Sequence, residues 1–138
     1  MAATQSLADV VAGVGNVMAA YTQALDDGRT EDIVATFCPD GFCVMPGLGR
    51  HEGRDALCAA YEQWKPRKPQ RHLVTNTQVV EWTDGEARVT SDVVFLIQTE
   101  RGWAVGVVGR YDDVLHFDGG TWRFHSRVAT FVTENGDT

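Results

Sequence analysis

The sequence predicts an α+β fold, with helices gathered early in the chain and a bent antiparallel sheet filling the second half. Two observations carry that expectation. Apolar residues at 7, 10, 11, 14, 17, 18, 21 and 25 recur at helical spacing. After Pro69, three turn signals (Asp84-Gly85, Arg101-Gly102 and Asp118-Gly119-Gly120) divide the chain into four long β-rich runs. Size adds a bound: 138 residues, 43 % hydrophobic and 22 % charged, suffice for one core and are short for two. A single domain over 1–138 is expected, its core at about 7–132 and a polar tail at 133–138.

The first helix should run from Leu7 to about Leu25, with an irregular first half where Gly13 and Gly15 weaken it. Gly28 supplies its stop. Thr30 should cap a short second helix, TEDIVATF, that turns Ile33, Val34 and Phe37 inward. Pro39-Asp40-Gly41 reads as a turn and FCVMP, 42–46, as a short strand. GLGR at 47–50 reads as a turn and not a nucleotide loop, because no strand–glycine–helix unit surrounds it. A third helix, RDALCAAYEQW, places Leu57, Tyr61 and Trp64 on one stripe. The four runs that follow, joined by short loops, make an antiparallel meander. Strands of that length bend, and helices can close the concave side.

Composition excludes some functions. Twelve Lys+Arg against nineteen Asp+Glu give a net charge of −7. That balance argues against nucleic-acid or anionic-membrane partners, which need clustered cations. The one basic cluster, Lys65, Arg67, Lys68 and Arg71, is threaded by Pro66 and Pro69 and reads as a solvated connection. No apolar run reaches the ~20 residues of a membrane span, and the N-terminus lacks a signal-peptide charge pattern, so a cytoplasmic location is expected. Cys38, Cys43 and Cys58 read as reduced thiols. No His, Cys or acid pair has metal-ligand spacing, so no metal is expected. His51, His116 and His125 read as surface residues, and G-x-S-x-G is absent.

The chemistry concentrates in QRHLVTNTQVVEW, residues 70–82. Strand alternation puts His72, Asn76 and Gln78 on one face, which is either wet or the wall of a pocket. Imidazole is the side chain suited to proton exchange near neutral pH. Asp26 and Asp27 end the first helix, where an acid opposes the helix dipole. An Asp held on a His ring nitrogen would fix the tautomer and steady the imidazolium. Asp113 and Arg127 read as a cross-strand ion pair. Tyr111 is either core packing or a pocket donor.

Four segments in order, ALDDGRTEDIVATFCPDG, GRHEGRDAL, RHLVTN and GRYDDVLHFDGGTWRFHSRV, resemble the SnoaL-like branch of the nuclear-transport-factor-2-like superfamily, from about Val17 to Val132. The resemblance implies an α+β cone: a strongly curved sheet closed by N-terminal helices around a pocket. It also implies a His on the first long strand, matched by His72, oriented by an Asp near the end of the first helix, matched by Asp26. Similar members include scytalone dehydratase, hexachlorocyclohexane dehydrochlorinase, bile-acid dehydratases and the β subunits of ring-hydroxylating dioxygenases. The chain departs from scytalone dehydratase at Leu25 and near Met45, where that enzyme has tyrosines, and near Ile97, where it has a second active-site His.

The expected function is a cofactor-independent lyase or isomerase of a small, mostly apolar molecule. His72 would take a proton, Asp26 would orient it, and Tyr111 or Asn76 would donate a hydrogen bond to developing charge. Tyr21, Phe37, Leu57, Tyr61, Trp64 and Phe95 would supply the apolar walls. The alternative is a non-catalytic ligand-binding or scaffold module, including a dioxygenase-β-like role. Leu73, Val79, Val94 and Leu96 are expected opposite His72 and Phe95, on an outer sheet face that a second copy of the chain would cover.

Overall fold

The structure is a computed structural model that describes residues 4–132; the polar segment 133–138 lies outside the described residues. Among the described residues three helices and six strands follow one another as α1 (Leu7–Asp27), α2 (Thr30–Ala35), β1 (Phe37–Met45), β2 (Gly49–Glu52), α3 (Arg54–Gln63), β3 (Gln70–Trp82), β4 (Glu86–Thr99), β5 (Gly102–Asp118) and β6 (Thr121–Phe131). All six strands form one sheet in the order β2-β1-β6-β5-β4-β3. The four-strand meander is present as expected, each neighbour antiparallel.

The front half departs from expectation in four places. Helix α1 is continuous: a capping box between Ser6 and Asp9 starts it, and Gly28 ends it at φ 69°. Its glycines do not break it, and one of them serves packing. A Cβ on Gly13 would stand 2.5 Å from the Trp122 ring, so glycine is what lets β6 approach. Thr30 does not cap α2. Arg29 holds the cap position, and the Thr30 hydroxyl donates instead to Glu62 at 2.8 Å.

Pro39-Asp40-Gly41 is not a free turn but a bulge within β1. Phe37 pairs with Phe124 and Phe42 with Ser126, so β1 carries three residues more than β6 over this stretch. A Cβ on Gly41 would lie 2.8 Å from the Phe124 carbonyl oxygen, which fixes glycine there. GLGR contributes its last two residues to β2, which pairs antiparallel with β1. Because β1 joins β6 in parallel, the sheet is mixed and not purely antiparallel.

The helices pack on the concave side. Val10, Val14, Tyr21 and Ala24 of α1, Ile33 and Val34 of α2 and Leu57 of α3 form one core with Val89, Leu115 and Phe124 of the sheet. The opposite face exposes Leu73 (52 %), Trp103 (51 %) and Val105 (61 %). Val79, expected on that face, packs instead against the core. The pairing of β3 with β4 shifts between Thr75 and Gln78, where Asn76 adopts φ 53°. That bulge reverses the side-chain alternation beyond it.

Candidate active site

Among the described residues strand β3 is the last of the sheet, and its outer edge has no strand partner. Helix α1 lies along that edge and ends beside it, and Asp26 closes the gap. Its Oδ2 accepts the backbone N–H of His72 at 2.8 Å, and its Oδ1 accepts from the His72 ring Nδ1 at 2.6 Å. Gln70 Nε2 donates to the same Oδ1 at 3.2 Å. An acid at this helix end opposes the dipole, and the three donors offset that cost. The Asp26 side chain is 4 % exposed and that of His72 15 %.

A carboxylate only accepts, so Nδ1 carries the proton and the neutral ring keeps its lone pair on Nε2. Among the described residues Nε2 has no hydrogen-bond partner. The Phe95 ring packs on the imidazole, centroids 4.6 Å apart.

His72 forms part of the wall of a cavity of about 330 Å³ inside the cone. Of the residues expected to line it, Tyr21, Tyr61, Trp64, Phe95 and Tyr111 do so. Asp26 stands behind His72 and borders a second, open groove between α1 and β3, so the dyad is the partition between the two spaces. Three expected wall residues are elsewhere. Phe37 and Leu57 are buried in the main core, one layer behind the cavity lining. Asn76 is carried outward by its bulge and donates to Asp92 Oδ2 at 2.8 Å on the surface. It cannot serve the cavity. The cavity also takes Gln70, Leu25, Met45, Val107 and Phe131, none of which was expected. Gln70 was legible: it stands two residues before His72 and therefore on the same strand face.

All three tyrosines of the chain meet this cavity. The hydroxyls of Tyr21 and Tyr61 share a hydrogen bond of 2.6 Å, in which either can donate. Burial pushes all three phenols above their ordinary value, so each remains a protonated donor. Beneath them lies Arg127, fully buried, its guanidinium 3.7 Å from the Tyr111 ring centroid and 4.4 Å from that of Tyr21. Arg127 Nε and Nη2 donate to the two Asp113 oxygens, each at 2.9 Å. Burial raises the Asp113 carboxyl and Arg127 pulls it back; the two-bond fork fits the ionised pair. The expected cross-strand pair is therefore present, as part of the floor beneath the cavity.

The remaining histidines are all half-buried. His51 lies against Trp64, and His116 and His125 stack with centroids 4.5 Å apart beside Glu86. Among the described residues no group of three or more His, Cys, Asp or Glu is placed to hold a metal, and no helix is long and apolar enough to cross a membrane.

Residues 6–128 match the family model of the SnoaL-like domain. A structure from Catenulispora acidiphila, in complex with S-DNPA, is similar at 26 % identity and TM-score 0.81, over 90 % of this chain and 94 % of that one. A candidate scytalone dehydratase from Novosphingobium aromaticivorans is similar at 24 % identity and TM-score 0.78, over 90 % and 85 %. The β subunit of a candidate aromatic-ring-hydroxylating dioxygenase from the same organism is similar at 22 % identity and TM-score 0.78, over 93 % and 93 %. The last two likenesses concern the fold alone. No protein of curated function matches the chain.

Proposed function

The chain belongs to the SnoaL-like domain family, and within it we propose that this protein is a cofactor-independent lyase or isomerase of a small, mostly apolar molecule. One observation carries the reading: a His72 ring anchored through Nδ1 at 2.6 Å to a buried carboxylate, with its Nε2 unpartnered, on the wall of an apolar cavity. Nε2 takes a proton from a carbon of the bound molecule. Asp26 holds the tautomer and offsets the charge that the ring gains. A phenol of Tyr111 donates to the negative charge that develops on the substrate. A cavity of about 330 Å³ suits a molecule of one or two rings. Likeness to a structure in complex with a small molecule supports ligand binding here.

The test begins with a thermal-shift screen of small apolar carbonyl compounds, since a ligand of the native state raises its melting temperature. Hits are then incubated in D₂O, and loss of the C–H signal is followed by NMR. The proton-abstraction reading expects exchange or turnover that His72→Ala reduces by about 10²–10⁴-fold. Ligands that bind without any exchange would favour a second reading, a scaffold module. Likeness to a dioxygenase β subunit and the exposed apolar outer face support that alternative. On either reading a second copy of the chain covers Leu73, Trp103 and Val105, and light scattering at micromolar concentration should return a dimer.

A further inference from the structure

We propose that Gln70 is a positioning residue of the Asp26–His72 pair; the proposal rests on the dyad reading above and extends it to a third side chain. Gln70 is 9 % exposed, lines the cavity and directs Nε2 to Asp26 Oδ1 at 3.2 Å. The amide can point only one way there, because its carbonyl oxygen would face a carboxylate oxygen with no proton between them.

Two donors thus converge on Oδ1, Gln70 Nε2 and His72 Nδ1, while the His72 backbone N–H holds Oδ2. The carboxylate needs this clamp because competing groups stand on its other side. The groove behind it is lined by Arg71 and Gln23, each able to donate to a carboxylate that rotates outward, whereas the Thr22 hydroxyl there already donates to the Met18 carbonyl at 2.9 Å. Tyr111 and Phe95 face the dyad from the sheet, and neither donates to Asp26 among the described residues. Gln70 is the side chain that draws the carboxylate toward the cavity, and so keeps Nδ1 protonated and Nε2 open. The amide keeps a second N–H and its carbonyl oxygen for a polar atom of the ligand.

The experiment uses the whole chain with ¹⁵N-labelled histidine and needs no substrate. The His72 ring nitrogens report the tautomer, and the Nδ1 proton reports its exchange with water. Gln70→Met keeps length and volume but removes the donor; Gln70→Asn keeps the amide but withdraws it by one methylene. In the wild type a single Nδ1–H tautomer with a slowly exchanging proton is expected. Both variants should show a mixed tautomer and proton exchange faster by about tenfold or more, the equivalent of one lost hydrogen bond to a charged group. A residue that only packs would move neither signal in Gln70→Asn, and a wild-type spectrum in both variants overturns the proposal. A wild type that already lacks the Nδ1–H signal would sink the dyad reading as well, before Gln70 is altered. The two failures are therefore distinguishable.

Discussion

Among the described residues, two carboxylates with buried side chains each hold a nitrogenous side chain, and they do so to opposite ends. Asp113 and Arg127 face each other across β5 and β6, wholly buried, with the guanidinium enclosed by Tyr21, Tyr111 and Phe124. Both oxygens of that acid are spent on the one partner. Asp26 is nearly as buried, but it holds a ring whose other nitrogen opens on a cavity. The first pair opens on no cavity: the acid is fully used, and Arg127 Nη1 stays buried without a hydrogen-bond partner among the described residues. The second presents a free ring nitrogen to a cavity. That difference separates a structural ion pair from a candidate catalytic one, and burial alone does not reveal it.

The comparison breaks most visibly in stability. Arg127→Met leaves the Asp113 charge buried and unpaired, so urea denaturation should show a loss of about 3–5 kcal/mol. Arg127→Met with Asp113→Leu should recover most of it, since apolar replacements of both partners are often neutral. If the single variant stays within 1 kcal/mol of wild type (about a fivefold change in the folding constant), the pair is not what holds the floor.

Asp26→Asn should cost less, about 1–3 kcal/mol, because an Asn oxygen can still accept the His72 backbone N–H while its amide faces two donors. The same variant should abolish the Nδ1–H tautomer in the ¹⁵N spectrum. An unchanged tautomer would mean that the two side chains do not act as a unit.

A subtler difference lies at high pH. The unfolded chain ionises its tyrosines near 10, whereas burial raises all three in the folded state. Above that pH the unfolded chain binds fewer protons, so stability contributed by the phenols is complete below 10 and is lost as pH rises beyond it. Absorbance near 295 nm should show no tyrosinate until unfolding begins. A tyrosine that titrates near 10 in the folded protein would place it outside the buried lining of the cavity.

The smallest effect is expected at the position where the sequence was misleading. Asn76→Asp keeps the short polar side chain at φ 53° but sets it against Asp92, which already pairs with Arg110. Ligand binding and the His72 ring signals should stay unchanged, with stability altered by less than about 1 kcal/mol. A loss of ligand affinity there would reopen Asn76 as a cavity residue.

Much of the fold was legible locally. The α1 stripe reads at helical period, and each turn signal in the second half coincides with a hairpin of the meander. The pairing of Asp113 with Arg127 followed from a hairpin register. What failed was alternation across bulges. Counting by twos from His72 holds back to Gln70 and forward to Val74, then fails at Asn76, where an extra residue turns the strand over.

By itself the sequence determined the three helices and the four long strands, though not β2 or the full length of β1, because periodicity and turn chemistry act within a few residues. It also supplied the donors and acceptors of a proton-transfer site. Tertiary structure alone decided which of them meet. Asp26 reaches His72 across 46 residues only because α1 ends beside a sheet edge whose backbone N–H needs an acceptor. Likewise, β1 joins β6 in parallel, and Phe37 and Leu57 sink behind the cavity, because the bulge at Gly41 and the packing of α3 set their depth. Register and depth are sums over contacts distant in sequence, and no local pattern carries them.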